Sequence, residues 1–420
     1  MALDKNSDVL VVGAGPVGMT AALLLTQRGV DTTVIDAKGG PAARSYACAL
    51  HPQSLELFDR LGLAEEILQL GRRFGTMAFY EGTERRTEIK LSALSRKFPF
   101  LLVLPQNQLE SLLERALNRH AGIPVHWHHQ LSDLKEDVKG VVAAVDRLAG
   151  SSTGYIVPHW EMMVKETVEI GATFVVGADG HHSLVRQRIG LDYVQAGEPE
   201  LFTVFEFETE EALEDEVRVV LDASTTNVLW PLPGGRCRWS FQEKRANAAS
   251  EFPEKARRSV WIEDPETNKR VQNSLQGLFR ERAPWFSAKV KQFDWVGHVQ
   301  FERQLVKLFG NEQCRLIGDA AHQTGPVGVQ SFNVGLREAD SLAETLKSLL
   351  EKGEKRNAFD LWEQQWRGEW EQLLGIKGPL KSNDTTDKWV AQHAARILPC
   401  VPASGDDLVI CLSQVHLSLP

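Results

Sequence analysis

The sequence predicts an α/β fold: a Rossmann-like nucleotide-binding domain interleaved with a β-sheet domain, plus C-terminal helices. Three observations predict it. A strand, a glycine turn and a helix follow one another at three places, around residues 8–28, 172–186 and 314–346. Between the second and third places the pattern changes to short apolar strands, from Leu201 to Phe241. Beyond Leu350 the apolar residues adopt helical spacing.

The first element, residues 8–12, is a short hydrophobic strand followed by Gly13-Ala14-Gly15-Pro16-Val17-Gly18. Residues 19–28 then read as a helix closed by Gly29, and residues 32–35 as a second strand ending at Asp36. This is the βαβ dinucleotide pattern. Gly13 allows the tight turn, Gly15 admits a pyrophosphate, and Gly18 lets helix and strand approach. The helix amino end offers partial positive charge to phosphates, and Asp36 is placed for adenosine ribose hydroxyls. The fingerprint alone does not separate FAD from NAD. Farther along, Gly177-Ala178-Asp179-Gly180 links a strand to a helix that Asp179 or Ser183 can cap. Residues 314–317 form a third short strand, so Gly318-Asp319 lies past a strand's carboxyl end, where ligands bind in open α/β sheets. From Asn333 a helix carries Val334, Leu336, Ala339, Leu342, Ala343 and Leu346 on one face.

Composition narrows the function classes. Hydrophobic residues make up 43% and charged residues 25%, an ordinary globular balance. A net charge of −9 argues against a general nucleic-acid binder. The five cysteines are scattered and form no CxxC pair, which reads as reduced, mostly buried thiols in a cytoplasmic protein. No metal-ligand spacing is present. His126, His128 and His129 alternate within an expected strand as surface or interface residues. The N-terminal apolar run is broken by Gly13, Gly15, Pro16 and Gly18, so neither a signal peptide nor an integral membrane segment is expected.

Taken together, the three loops resemble the fingerprints of the FAD-dependent aromatic hydroxylases, the single-component flavoprotein monooxygenases related to p-hydroxybenzoate hydroxylase. They are also similar to the ubiquinone-biosynthesis hydroxylases, whose flavin loop continues, as here, into Phe332-Asn333-x-Gly335-Leu336-Arg337. The resemblance runs from about Asp8 to Leu350. It implies a discontinuous FAD-binding domain at residues 1–80, 100–195 and 300–350, a substrate domain at 81–99 and 196–299, and a helical region at 351–420. It places Asp179 at a turn serving the FAD pyrophosphate and the reductant, Asp319 against the ribityl chain, and Pro326 beside the isoalloxazine. Arg44 resembles an arginine near the FAD phosphates, and Gln106 a flavin-contacting residue at a helix start; a surface arginine and a helix-starting glutamine are the plain alternatives. Backbone N–H groups from Gly328 through Val329 to Asn333 would stabilise charge on the reduced flavin.

The chain also departs from the family pattern. Where the usual loop reads Pro-Pro-x-Gly-Gly-Gln-Gly, this one reads Gly325-Pro326-Val327-Gly328-Val329-Gln330-Ser331. Valine resists positive φ, so the turn at Val329 is expected to be less extreme. Ser331 either adds a hydroxyl near the flavin or caps the helix. His51, at the start of a helix where relatives carry arginine at the Gln53 position, is a candidate for activating a phenolic substrate, or simply a helix-start residue. His322 reads as a supporting hydrogen-bonder.

On the substrate side, strands are expected at residues 201–207, 217–221, 227–231 and 237–242, helices at 251–263 and 268–280, and strands again at 293–295 and 299–301. Residues 209–216 read as an acidic, solvated connection. Trp230, Trp239, Trp285 and Trp295 suggest a large apolar or aromatic substrate, with Arg218, Arg236 and Arg238 as possible anchors. Trp362, Trp366 and Trp370, at spacing four, form a packing stripe, and helices follow near 385–398 and 406–415. The implied reaction is reduction of FAD by NADH or NADPH, oxygen capture as a flavin C4a-hydroperoxide, and oxygen transfer to an electron-rich carbon. A flavin epoxidase, an FAD-dependent reductase or dehydrogenase, and a non-catalytic FAD-binding protein are the alternatives. The expected assembly is a monomer or homodimer.

Overall fold

The computed structural model describes residues 6–42, 49–137, 140–153, 159–210, 213–244, 265–352 and 355–420. In chain order, β1 (Asn6–Val12), α1 (Pro16–Gln27) and β2 (Thr32–Asp36) form the opening unit. There follow α2 (Pro52–Arg60), β3 (Thr76–Glu81), β4 (Glu84–Lys90), α3 (Gln106–Ala116) and β5 (Val125–Trp127). A meander of β6 (His129–Asp137), β7 (Gly140–Thr153) and β8 (His159–Gly177) leads into α4 (Leu184–Arg188). Then come β9 (Glu200–Thr209), β10 (Val217–Leu221), β11 (Thr226–Leu232), β12 (Arg236–Gln242), α5 (Pro265–Arg282) and β13 (Val290–Phe301). The chain closes with β14 (Cys314–Leu316), α6 (Gln330–Lys352), α7 (Lys355–Leu373), α8 (Lys388–Ile397) and α9 (Gly405–Gln414).

The first sheet runs β5-β2-β1-β8-β7-β6, with β14 also on β8. β1 is polar and partly exposed over Asn6–Asp8 and then fully buried over Val9–Val12, the apolar stretch that a parallel strand covered on both faces requires. Register decides where a ligand can go. Val12 pairs with Gly177, and Gly177 pairs with Leu316. The three glycine loops therefore leave three parallel strands at one level, on one edge. Helix α1 is buried along most of its length, and a Cβ built on Gly318 would lie 3.3 Å, and one on Gly335 of α6 3.0 Å, from the Val17 side chain.

The second sheet runs β13-β9-β12-β11-β10-β3-β4. It takes in the early β3–β4 hairpin through a parallel pairing of β3 with β10. Its outer face carries an aromatic cluster in which Trp239 stacks on Phe241 at 4.9 Å, closed by Phe279 of α5 and by Phe286. Its inner face, with Phe202, Val219, Val228 and Trp230, joins the main core, which also holds Trp366, Trp370 and Ile397. The tail helices thus share one core with both sheets, each large apolar side chain contributing about 1.5–3 kcal/mol.

Several sequence expectations change here. His126, His128 and His129 do not share one strand, because His128 has φ 59° and breaks β5 from β6. Residues 293–295 and 299–301 belong to one strand, β13, which pairs with β9 from one end to the other across two register shifts. The acidic connection before β10 is not merely solvated: Glu216 accepts from Tyr80 at 2.7 Å and from Arg218 at 2.7 Å. The helix expected at 251–263 lies outside the described residues. Cys237, Cys314, Cys400 and Cys411 are free and buried, while Cys48 is outside the described residues. No described helix is long and apolar enough to cross a membrane.

Candidate active site

The glycines of the first loop divide by what surrounds them. Gly13 has φ 106°, and a Cβ there would fall 2.3 Å from the carbonyl oxygen of Ala178. A Cβ on Gly18 would fall 2.0 Å from the Gly13 carbonyl oxygen. Both are required by chain against chain. Gly15 is different: a Cβ there meets nothing within 4 Å. It caps α1 with no side-chain hydrogen bond, and the first turn holds no acid. The helix thus presents unsatisfied N–H groups and its positive dipole end to an open cradle, an arrangement suited to an anion.

The polar residues around the cradle are fixed by the backbone. Asp36, at the end of β2, accepts the Ala14 N–H at 2.7 Å and the Lys38 N–H at 2.7 Å, one on each oxygen. Glu110 of α3 accepts the Ala42 N–H at 2.5 Å and the Gln106 amide at 2.7 Å. Burial pushes its carboxyl pKa up. Gln106 therefore stands at the first turn of α3, braced against Glu110. Arg44 is outside the described residues.

At the second loop both side chains considered as caps act together. Ser183 donates to Asp179 at 2.5 Å and accepts the Arg186 N–H at 3.0 Å, and Asp179 accepts the Leu184 N–H at 2.7 Å. Burial raises the Asp179 pKa despite these bonds. Gly180, with φ 78°, leaves open space where a side chain would stand. Arg186 ties this loop to the third by donating to the Ala320 carbonyl at 3.1 Å.

The third loop is held from both sides. Asp319 is exposed beside the cradle and accepts from Ser331 at 2.7 Å, while Tyr193 donates to its carbonyl. Behind it His322 lies 2.8 Å from Glu338, and both are fully buried. Glu338 also accepts the Gly318 N–H at 3.0 Å and the Trp370 indole at 2.7 Å, and Trp370 stacks on the His322 ring at 3.7 Å. Glu338 and Trp370 had no local signature. Only the spacing of Trp370 with Trp362 and Trp366 hinted at packing.

Farther along, Val329 overturns the expectation drawn from its branching: φ is 50°, in the left-handed region. The neighbours hold it there. The Gly328 N–H donates to the Pro399 carbonyl at 3.0 Å, and the Gly328 carbonyl accepts from His51 Nε2 at 2.8 Å. Gln330 donates to the carbonyls of Leu398 and Val401. The Gly328 N–H expected to meet a flavin is thus committed to the tail. Asn333 also turns inward. Its amide donates to the Ala49 and Val329 carbonyls, and its oxygen accepts from the His51 N–H and Ser54, filling all four places. Its side chain braces the loop and has nothing left for a ligand. His51 is 3% exposed, and burial lowers its pKa to about 4, with the Gly328 bond opposing. A buried ring that donates to the loop positions it; the substrate-base role does not follow. Pro326 is half-buried between this clamp and the second sheet.

The arginine anchors are also corrected. Arg238 and Arg236 both pair with Glu206 at 2.6 Å, and Arg218 pairs with Glu214 and Glu216. Their charges are already met within the sheet. A cleft lined by Leu213, Glu216, Arg218, Trp285 and Phe286 contains none of the loop residues. The residues present fit FAD: an open glycine cradle at an uncapped helix end, acids at two strand ends, and a third loop for the rest of the molecule.

Comparison with known proteins agrees with this geometry. A family model described as an FAD binding domain matches residues 6–367. A 6-methylpretetramide 4-monooxygenase from Streptomyces rimosus is 29% identical over 357 residues, 84% of this chain and 58% of its own length. A pentachlorophenol 4-monooxygenase from Sphingobium chlorophenolicum is 26% identical, covering 84% of this chain and 60% of its own. The chain therefore spans under two thirds of the length of these two relatives. The crystal structure of p-nitrophenol 4-monooxygenase from Pseudomonas putida DLL-E4 superposes with a TM-score of 0.74 at 19% identity, over 98% of this chain and 97% of that one. An aklavinone-11 hydroxylase solved with FAD and aklavinone gives 0.70 at 19% identity, over 95% and 71%. At these identities the structures share the fold.

Proposed function

The chain belongs to the FAD binding domain family of flavoprotein aromatic hydroxylases, and from that premise we propose that it is a monooxygenase using NADH or NADPH and molecular oxygen to hydroxylate an aromatic or similarly electron-rich substrate. The observation that carries the reading is the convergence of the three loops. A Cβ built on Gly13 would strike Ala178 and one built on Gly318 would meet Val17, so segments far apart in the chain pack closely enough to build one cradle.

Each residue has a part. Gly15 and the α1 amino end would hold the pyrophosphate, and Asp36 the ribose. Asp319, oriented by Ser331, would meet the ribityl chain. Pro326 would border the ring system, on a loop that His51 and Pro399 keep in one conformation. When bound, FAD supplies the electron transfer and the activation of oxygen. The protein supplies placement and the fixed charges around it.

Two measurements test this reading. Gly15→Val should fold with an unchanged melting curve in the FAD-free form, since Gly15 has φ −70° and open space, yet fail to bind FAD. The FAD-loaded native protein should then oxidise NADH or NADPH faster with one class of phenol, quinol or polycyclic aromatic, and yield oxygenated product in preference to peroxide. Bound FAD with no oxygenated product from any electron-rich ring would sink the hydroxylase reading.

A further inference from the structure

Glycine at position 325, where the family pattern has proline, has a visible counterpart across the site. A Cβ built on Gly325 would lie 2.8 Å from Oε2 of Glu200, so this carboxylate occupies space a larger residue would fill. Glu200 starts β9 opposite Phe301, whose ring meets Phe202 edge-on at 5.7 Å. Several elements converge on it. Gln242 of β12 spends its oxygen on the Thr226 N–H at 2.8 Å and hydrogen-bonds Glu200 with its amide. Arg396 of α8 donates to the Asp222 carbonyl at 2.6 Å, and Arg303 to the Leu374 carbonyl at 3.1 Å. Both guanidiniums are committed to backbone and act on Glu200 through their field. Cys400 is the remaining titratable neighbour.

We propose that Glu200 receives the acidic O–H of a phenolic substrate lying against Pro326: the O–H bond breaks, the proton passes to the carboxylate, and the electron pair stays on the substrate oxygen. This rests on the hydroxylase reading and adds the residue that makes the ring electron-rich. The chemistry is consistent across the site. Burial raises the Glu200 pKa against the pull of Arg303 and Arg396, giving a stronger base than an exposed carboxylate. After transfer the negative charge sits on the substrate, in the field of the same two arginines, and Glu200 is neutral. Sequence alone gave no sign of this residue, because its partner is more than a hundred positions away and the only local trace is a missing proline.

The test uses the FAD-loaded protein, 4-nitrophenol and its methyl ether 4-nitroanisole, at a pH where free 4-nitrophenol is protonated. The native protein should bind 4-nitrophenol and develop the phenolate's visible band. Glu200→Gln should lose the band and bind 4-nitrophenol about tenfold more weakly, with 4-nitroanisole affinity unchanged. Glu200→Asp should keep part of the band. Gly325→Ala, which pushes the carboxylate aside, should weaken it. Circular dichroism and FAD content confirm that each variant is folded. A band that persists in Glu200→Gln, or a native protein that shows none, overturns the assignment. Failure of the hydroxylase reading looks different: the probes still separate native from variant, but no phenol yields oxygenated product.

Discussion

Val329 shows what the site asks of single residues. A β-branched residue at φ 50° pays about 1–2 kcal/mol for left-handed backbone. Its buried methyl groups and the bonds around Gly328 hold it there. Replacement should therefore invert the ordinary order: Val329→Gly should be more stable than Val329→Ala by about 1 kcal/mol, because only glycine escapes the strain. Urea denaturation of the two variants checks this. His51 carries a second expectation. Its pKa is 6.5 ordinarily and about 4 in the fold, so acid protonates the unfolded chain first. Its contribution is whole above pH 6.5 and is lost as pH falls from 6.5 towards 4, amounting to about 3 kcal/mol across that window. Gln at position 51 can still donate to Gly328 but does not titrate. The native-minus-His51→Gln stability difference should shrink with acid over that window, as measured by urea midpoints at several pH values.

Among the elements, the turn between β1 and α1 and the helix α6 carry different burdens. Gly18→Ala should cost about 3 kcal/mol or more, since its Cβ would strike backbone, whereas Gly15→Val should lose only cofactor. In α6, Glu338→Ala should destabilise by about 3–5 kcal/mol, leaving His322, Trp370 and the Gly318 N–H without their shared acceptor. Thermal melts should show that fall both without and with added FAD. The strand–glycine–helix units were legible in sequence because each is written in one short continuous stretch, as an apolar run, a glycine turn and a periodic helix. Glu338 was not. Its partners come from two other elements, and nothing beside it in the chain distinguishes it from a surface acid.

Over the whole molecule, one apolar core joins β1, the inner face of the second sheet and the tail helices. FAD binding should therefore stabilise the chain as a unit. Far-UV circular dichroism and tryptophan fluorescence should melt together, and both should shift upward with added FAD by the same interval, about 2.7 kcal/mol at a hundredfold excess over Kd. Two separate transitions would show the second sheet to be an independent unit. The fold class was readable at this scale because alternating patterns survive without knowledge of contacts. The loop conformation was not, since Val329 is held by His51 and Pro399, residues from opposite parts of the chain.

That grip on Gly328 bears on how the protein is made. A chain growing from the ribosome completes β1, α1 and β2, and with them the first part of the cradle, early in synthesis. The carbonyl that fixes the Gly328 peptide belongs to Pro399, translated after every strand of both sheets. Until that residue emerges, the loop beside Pro326 has only half its clamp. The first glycine loop is thus made early, and the loop beside Pro326 gains its full set of bonds only when the tail folds back onto it.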